Sequence, residues 1–164
     1  MKPHPAYVTI GNSEVILQGS LSELGRVAAE TSSFCRQHRL ADEVAFELNL
    51  ALEELFVNAV QHGGCEGLEN AVEIALRMTP QSVEVEFADR GRPFDPRFAP
   101  APDLVAPLSD RHLGGLGIHL VRRMMPDLEY RREGEWNRIA MRRRLRPRDR
   151  QTEPQVESQP SESI

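Results

Sequence analysis

Hydrophobic and polar positions follow two periods along this chain, and these periods predict its elements. Alternation at a period of two is typical of strands, and apolar residues every three or four positions indicate helices. The predicted elements, in chain order, are a strand or hairpin with a turn at 11–12 (6–17), a helix opened by a Ser20–Glu23 capping box (21–38), a second helix stopped by Gly63-Gly64 (41–62), two strands (71–79 and 82–89), an irregular Pro-rich stretch (90–113), a short helix (115–125) and a final strand pair (127–133 and 136–145).

This order predicts an α+β fold, a two-layer α/β sandwich with helices on one face of a mixed, mostly antiparallel sheet. The folded domain is expected to span 1–146. Residues 147–164 are rich in Pro, Glu, Ser and Gln and hold few large apolar side chains, so we interpret them as a disordered tail. Arginines near 138–146 are interpreted as a solvated outer sheet face, and Arg143, which breaks the alternation there, as a fraying strand end.

Composition narrows the function classes. The chain has 164 residues, 27% charged, with a net charge of −5, which gives no electrostatic argument for direct nucleic-acid binding. No apolar run is long enough to span a membrane, and the N-terminus lacks an apolar signal core. Two cysteines are too few for a disulfide framework. We therefore expect a cytoplasmic protein with reduced thiols.

The second helix carries unexpected polar groups. Glu54 and Asn58 lie one turn apart on a stripe beside the apolar face. One interpretation is that this stripe faces water. The other is a magnesium nucleotide site, since Asn offers a hard carbonyl oxygen for Mg²⁺ and a carboxylate one turn away can accept a proton. Periodicity alone leaves both open.

Two further segments bear on this choice. ADRGRPFDP, residues 88–96, places Asp89 at a strand end with Gly91 two residues on, and the carboxylate can accept a hydrogen bond from an exocyclic amine such as that of adenine. In HLGGLGIHLV, residues 112–121, three glycines lead into a predicted helix. The free N–H groups at the start of a helix suit phosphate. Each segment alone is a weak signal, but the ordered combination is specific.

The three segments together, LEELFVNAVQHG, DRGRPFDP and GGLGIHLV, resemble the GHKL (histidine-kinase-like) ATPase superfamily, whose fold is the Bergerat sandwich. Within it they most resemble the anti-sigma factor serine/threonine kinases, over about residues 8–145. The resemblance implies that Glu54 is the general base and Asn58 the Mg²⁺ ligand, and that 96–113 form a mobile ATP lid. It also implies a set of ATP-contacting positions: His62, Gly63, Asp89, Gly91, Pro93, Phe94, Asp95, Gly114, Gly115, Leu116 and Gly117. Pro93 stands where the wider superfamily has a second Gly, which makes this loop stiffer.

The implied function is a switch kinase using ATP and Mg²⁺. Its substrate would be a STAS-domain anti-anti-sigma protein, its other client a sigma factor or similar output protein, and homodimers are common in the family. An alternative is a non-catalytic module that binds ATP and sequesters a partner. A sensor histidine kinase fragment is disfavoured, because it needs a dimerising helical pair with a phosphoacceptor His ahead of Ala41. Gyrase, mismatch-repair and chaperone ATPases are disfavoured because they carry extra transducer domains.

Overall fold

The computed structural model describes residues 9–100 and 114–151. The helices and strands of this part are β1 (Gly11–Leu17), α1 (Leu24–Gln37), α2 (Asp42–Gln61), β2 (Val72–Met78), β3 (Ser82–Asp89), α3 (Gly114–Met124), β4 (Glu129–Glu133) and β5 (Trp136–Arg144). Short 3-10 helices lie at Leu21–Glu23, Pro96–Phe98 and Pro147–Asp149. None of the described helices is long and apolar enough to cross a bilayer.

The sheet has the strand order β1-β2-β3-β5-β4, and every pairing among the described strands is antiparallel. Thr79 closes the turn between β2 and β3, where its hydroxyl accepts a hydrogen bond from the Ser82 N–H at 2.9 Å. Gly134 has a φ of 58° in the turn between β4 and β5, a conformation that glycine adopts without steric cost. The β3–β5 pairing sets Asp89 directly opposite Asn137.

The core lies between the sheet and the three helices. Phe34 from α1, Phe56 from α2 and Phe87 from β3 are fully buried there. Burial alternates along β2 and β5, as expected for strands with one covered face. The predicted two-layer α+β fold is confirmed.

The uncovered face of the sheet carries paired charges. Arg138 contacts Glu86 at 2.9 Å, and Arg142 contacts Glu84 at 3.3 Å across the β3–β5 pair. Cross-strand opposite charges of this kind stabilise a solvated face modestly. The arginines therefore do not form a free basic patch.

Two predictions near the N-terminus are wrong. The turn predicted at 11–12 is the start of β1, which pairs with β2 along its whole length. The capping box is incomplete, because the Glu23 carboxylate pairs with Arg26 at 3.3 Å and does not return to the Ser20 backbone. A short 3-10 turn therefore precedes α1.

Arg143 does not mark a fraying strand. It lies on the core side of β5, 8% exposed, and contacts Glu47 of α2 at 2.5 Å and Asp149 at 3.2 Å. Two carboxylates compensate the buried charge, which is the condition for burying an arginine. Arg143, predicted to mark a fraying strand end, instead links the sheet to α2 through its ion pair with Glu47.

The folded domain extends beyond the predicted boundary at 146. The Ala41 N–H donates to the Asp149 carbonyl at 2.9 Å, and the Gln151 N–H donates to the Arg39 carbonyl at 2.8 Å. Residues 147–151 thus dock beside the connection between α1 and α2, and the prediction of disorder is wrong for them. The rest of the predicted tail, 152–164, lies outside the described residues.

Removal of the Asp149 carboxylate is expected to destabilise the domain. The side chain is 1% exposed and accepts a hydrogen bond from the Arg146 N–H at 2.9 Å. Burial alone raises the pKa of Asp149, but the hydrogen bonds from Arg146 and the charge of Arg143 outweigh it and leave the pKa below its usual value. This contribution to stability is present above the ordinary carboxyl pKa and is lost as pH falls through the depressed value.

Asp149→Ala should lower the free energy of unfolding in urea by about 1–3 kcal/mol. The matched control is Asp127→Ala, which removes an exposed ion pair with Arg144 and should cost about 1 kcal/mol at most. Equal, small effects of both changes would contradict the docked position of 147–151.

Candidate active site

The predicted site residues of α2 lie on the flank that faces α3. Glu54 and Asn58 are both half-buried, one turn apart. A Cβ added to Gly117 would lie only 1.7 Å from Glu54 Oε2, so the start of α3 rests against the Glu54 carboxylate. The side of α2 that carries Glu54 and Asn58 is therefore not simply exposed to water. It meets the glycine-rich start of α3.

The environment of Glu54 favours its neutral form. Burial is the largest influence and the charge of Glu53 the next, and both raise the pKa of the Glu54 carboxyl. A carboxylate whose pKa is raised toward neutral pH is a stronger base than an exposed one. Perturbed groups of this kind cluster at functional sites.

The Asn58 side chain makes no hydrogen bond to another described residue. Its backbone carbonyl accepts hydrogen bonds from the N–H groups of His62 at 2.9 Å and Gly63 at 2.8 Å, which end the helix. The amide oxygen is thus available to an outside ligand. No cluster of three or more His, Cys, Asp or Glu side chains within 9–100 and 114–151 can hold a metal ion by itself. This donor set fits Mg²⁺ that arrives with phosphate oxygens, because Mg²⁺ bound to a nucleotide needs few protein ligands.

The end of α2 is fixed to the loop after β3 through the backbone. The Arg92 N–H donates to the Gly63 carbonyl at 2.7 Å, and the Arg92 guanidinium donates to the His62 carbonyl. A Cβ on Gly91 would lie 2.9 Å from the Gly63 carbonyl oxygen, so a larger residue would separate the two loops. At Gly63, an added Cβ would lie 2.6 Å from the Ala59 carbonyl oxygen, so both positions require glycine. These contacts bring the loop after β3 to the end of α2.

Asp89 is buried at the end of β3, 6% exposed. Its Oδ1 accepts hydrogen bonds from the Gly91 N–H and from the Asn137 amide, both at 2.8 Å, with the Cys65 thiol at 3.9 Å. No described residue donates to Oδ2. Burial raises the pKa of Asp89, and the hydrogen bonds from Asn137 and Gly91 oppose that shift. One oxygen is held by the protein, and the other remains as an acceptor.

Asn137 belongs to the candidate site but was not predicted from the sequence. It is 1% exposed; besides Asp89 its amide donates to the Arg92 carbonyl at 2.9 Å, and its oxygen accepts from Arg132 and Tyr130, each at 2.9 Å. The available signal was its place on the strand face of Ile139 and Met141, since a polar residue among core positions must find hydrogen-bond partners. Asn137 orients Asp89.

The residues that follow Arg92 in the segment 88–96 are tied less directly to the site. Pro93 is exposed, whereas Phe94 is partly buried against the core. Asp95 caps the 3-10 helix at Pro96–Phe98, accepting from the Arg97 N–H at 3.0 Å and pairing with its guanidinium at 2.7 Å. The hydrogen bonds from Arg97 hold the pKa of Asp95 below its usual value. Asp95 therefore has a structural partner within its own loop.

The predicted glycine motif forms the first turn of α3 and does not precede the helix. Gly114, Gly115, Leu116 and Gly117 are all helical, one residue earlier than predicted. The first N–H groups of a helix have no intrahelical partner and suit an anion. Of the predicted lid, residues 96–100 are described, and the remainder up to 113 lies outside the described residues.

The family model of the histidine kinase-like ATPase domain matches residues 17–143. The chain belongs to this family of ATPase domains, which implies that it binds ATP.

A curated relative is the serine/threonine-protein kinase BtrW of Bordetella bronchiseptica, 34% identical over 103 residues, which cover 63% of this chain and 72% of the relative. A solved structure with the same fold is that of the RsbU and RsbW domains of a Mycobacterium tuberculosis protein, with a TM-score of 0.61 and 14% identity. That match covers 84% of this chain and 33% of the other, so the chain spans about a third of that protein. The resemblance predicted from the three motifs is confirmed.

Proposed function

We propose that this protein is an ATP-dependent serine/threonine kinase that phosphorylates a STAS-domain anti-anti-sigma protein and sequesters a sigma factor or similar output protein. The observation that carries the proposal is the contact of Glu54 with Gly117. This contact places the Glu54 carboxylate, whose pKa is raised, against the first turn of α3, where free N–H groups suit phosphate. A site that only binds nucleotide has no need of a base at that position.

In the proposed reaction the oxygen of a serine or threonine hydroxyl bonds to the γ-phosphorus of ATP, and Glu54 accepts the proton of that hydroxyl. The bond from that phosphorus to the bridging oxygen breaks, and ADP leaves. Asp89 Oδ2 accepts a hydrogen bond from the adenine amine, while Asn137 and the Gly91 N–H hold Oδ1. The first turn of α3 binds phosphate oxygens. Bound Mg²⁺, for which Asn58 is the protein ligand, supplies charge neutralisation on the phosphates.

Phosphorylation then works as a switch. The acceptor binds in its unphosphorylated form, and the added charge disfavours rebinding beside Glu53 and Glu54. The kinase is thereby released to hold its other client.

The test is transfer of label from γ-labelled ATP to the STAS-domain protein encoded nearest to this chain. The proposal predicts label on serine or threonine of that protein, dependent on Mg²⁺. ATP binding by calorimetry without any transfer would contradict the kinase and favour the nucleotide-dependent binding module.

Gly117→Ala is expected to reduce transfer by about 10- to 100-fold, because its methyl group displaces the Glu54 carboxylate from its position. The matched control is Gly25→Ala on α1, where an added Cβ meets nothing within 4 Å. Initial rates at saturating ATP measure the effect. Equal rates for both variants would contradict the placement of Glu54.

A further inference from the structure

The outward face of α2 carries an apolar stripe. Phe46, Leu50, Glu53 and Val57 recur at intervals of four, three and four residues, so they lie in one line along the helix. We call the three apolar residues of this line, Phe46, Leu50 and Val57, the α2 stripe; Glu53 lies among them. Phe46 is 65% exposed, and Leu50, Glu53 and Val57 are half-buried.

The neighbouring contacts fix the direction of the α2 stripe. On one side of it, the Asn49 amide donates to the Ser32 hydroxyl of α1 at 3.3 Å. On the other side, Glu54 meets Gly117 of α3. The stripe therefore runs between α1 and α3, away from the sheet.

The composition of this face is unusual for a solvated helix surface. The outward side of an amphipathic helix is ordinarily polar. Exposed apolar residues that adjoin one another mark interaction sites, and aromatic side chains are the commonest anchors of such contacts. Phe46 is such an anchor, with Leu50 and Val57 extending its surface.

The position of Glu54 identifies the occupant. Glu54 follows Leu50 by four residues and precedes Val57 by three, so both are its neighbours on the helix surface. A protein that brings a hydroxyl to Glu54 can therefore contact both of these side chains. The stripe is continuous with the proposed catalytic carboxylate.

Charge specifies the partner further. Asp42, Glu43 and Glu53 flank the apolar residues, and none of them forms an ion pair with a described residue. A negative rim favours a partner surface with lysine or arginine around apolar side chains, and it steers such a partner to the site.

We propose that the α2 stripe is the docking surface for the phosphoacceptor protein, through an apolar segment flanked by basic residues. This rests on the proposed kinase function. The stripe binds the acceptor and sets its hydroxyl beside Glu54, without itself taking part in phosphoryl transfer.

The experiment compares Phe46→Ala with wild type, using the neighbouring STAS-domain protein as acceptor and γ-labelled ATP. The control is Ile16→Ala, another exposed apolar residue, 53% exposed, on β1. The acceptor KM, and its Kd measured with a non-hydrolysable ATP analogue, should rise about tenfold for Phe46→Ala. The kcat and the ATP Kd should stay unchanged, and Ile16→Ala should match wild type.

The outcomes separate the two proposals. Transfer by wild type with an unchanged acceptor Kd for Phe46→Ala would overturn the docking surface and leave the kinase standing. A change in self-association by sedimentation, with acceptor binding unaltered, would show a contact between copies and also overturn it. Absence of transfer by wild type would overturn the kinase, and with it the docking proposal.

Discussion

Replacing Glu54 with glutamine is expected to reduce phosphoryl transfer by about 100-fold or more while ATP affinity stays unchanged. Glutamine keeps the volume that rests against Gly117 but cannot accept the hydroxyl proton. Single-turnover rates with labelled ATP measure transfer, and calorimetry measures binding. Glu66→Gln, a change in the exposed loop after α2, is the control and should be indistinguishable from wild type.

The same carboxylate predicts a pH dependence. Because burial and the adjacent Glu53 raise the pKa of Glu54, transfer should increase with pH through a pKa above the ordinary glutamate value. The deprotonated form is the base, so activity is low below that pKa and reaches a plateau above it. A Glu54→Gln variant that retained both the rate and this pH limb would show that another group accepts the proton.

Asp89→Asn is expected to weaken ATP binding by about 100-fold, equivalent to about 3 kcal/mol. The amide oxygen must stay at the Oδ1 position, since Gly91 and Asn137 both donate to it. The amide nitrogen then takes the place of Oδ2, where a donor faces the adenine amine donor.

Because two hydrogen-bond donors would face each other, we also expect a change in base preference. ITP carries a carbonyl oxygen where adenine has its amine, so Asp89→Asn should bind ITP relatively better than wild type does. A merely destabilised domain would lose both nucleotides alike. Calorimetric titration with ATP and ITP measures the ratio, with Asp127→Asn as the surface control. An unchanged preference would contradict the assignment of Asp89 to the adenine amine.

The architecture was predictable because its elements have strong local patterns. The structure places α2 at Asp42–Gln61 against a predicted 41–62, and β2 and β3 within one residue of their predicted ends. Gly63-Gly64 stopped the helix as expected, and Gly64 has the left-handed φ of 83° that glycine tolerates. The two-layer packing followed from the order of these elements.

The three motifs were predictable, and the family resemblance implied that they share one ATP site, but the contacts that join them were not predictable. These contacts are long-range: Glu54 with Gly117, Gly63 with Gly91, and Asp89 with Asn137. Asn137 has no local sequence signal that names its partner, because β5 must first pair with β3. Its role becomes visible only once the sheet order is known.

The misplaced domain boundary has a similar cause. Local composition predicts disorder after 146, since the segment offers little apolar surface. The structure instead stabilises 147–151 through the buried Asp149 carboxylate, which contacts Arg143 at 3.2 Å. The irregular strand position, Arg143, and the start of the predicted tail, at Asp149, are therefore joined by one ion pair.

In the proposed function, three separated motifs form one Mg·ATP site that serves phosphoryl transfer. The most direct measurement is a crystal structure of the wild-type protein with Mg²⁺ and a non-hydrolysable ATP analogue. We expect the adenine amine on Asp89 Oδ2, the Asn58 amide oxygen on Mg²⁺, and the γ-phosphate beside both Glu54 and the first turn of α3. A nucleotide bound elsewhere, or one whose γ-phosphate lies out of reach of Glu54, would contradict the proposed function.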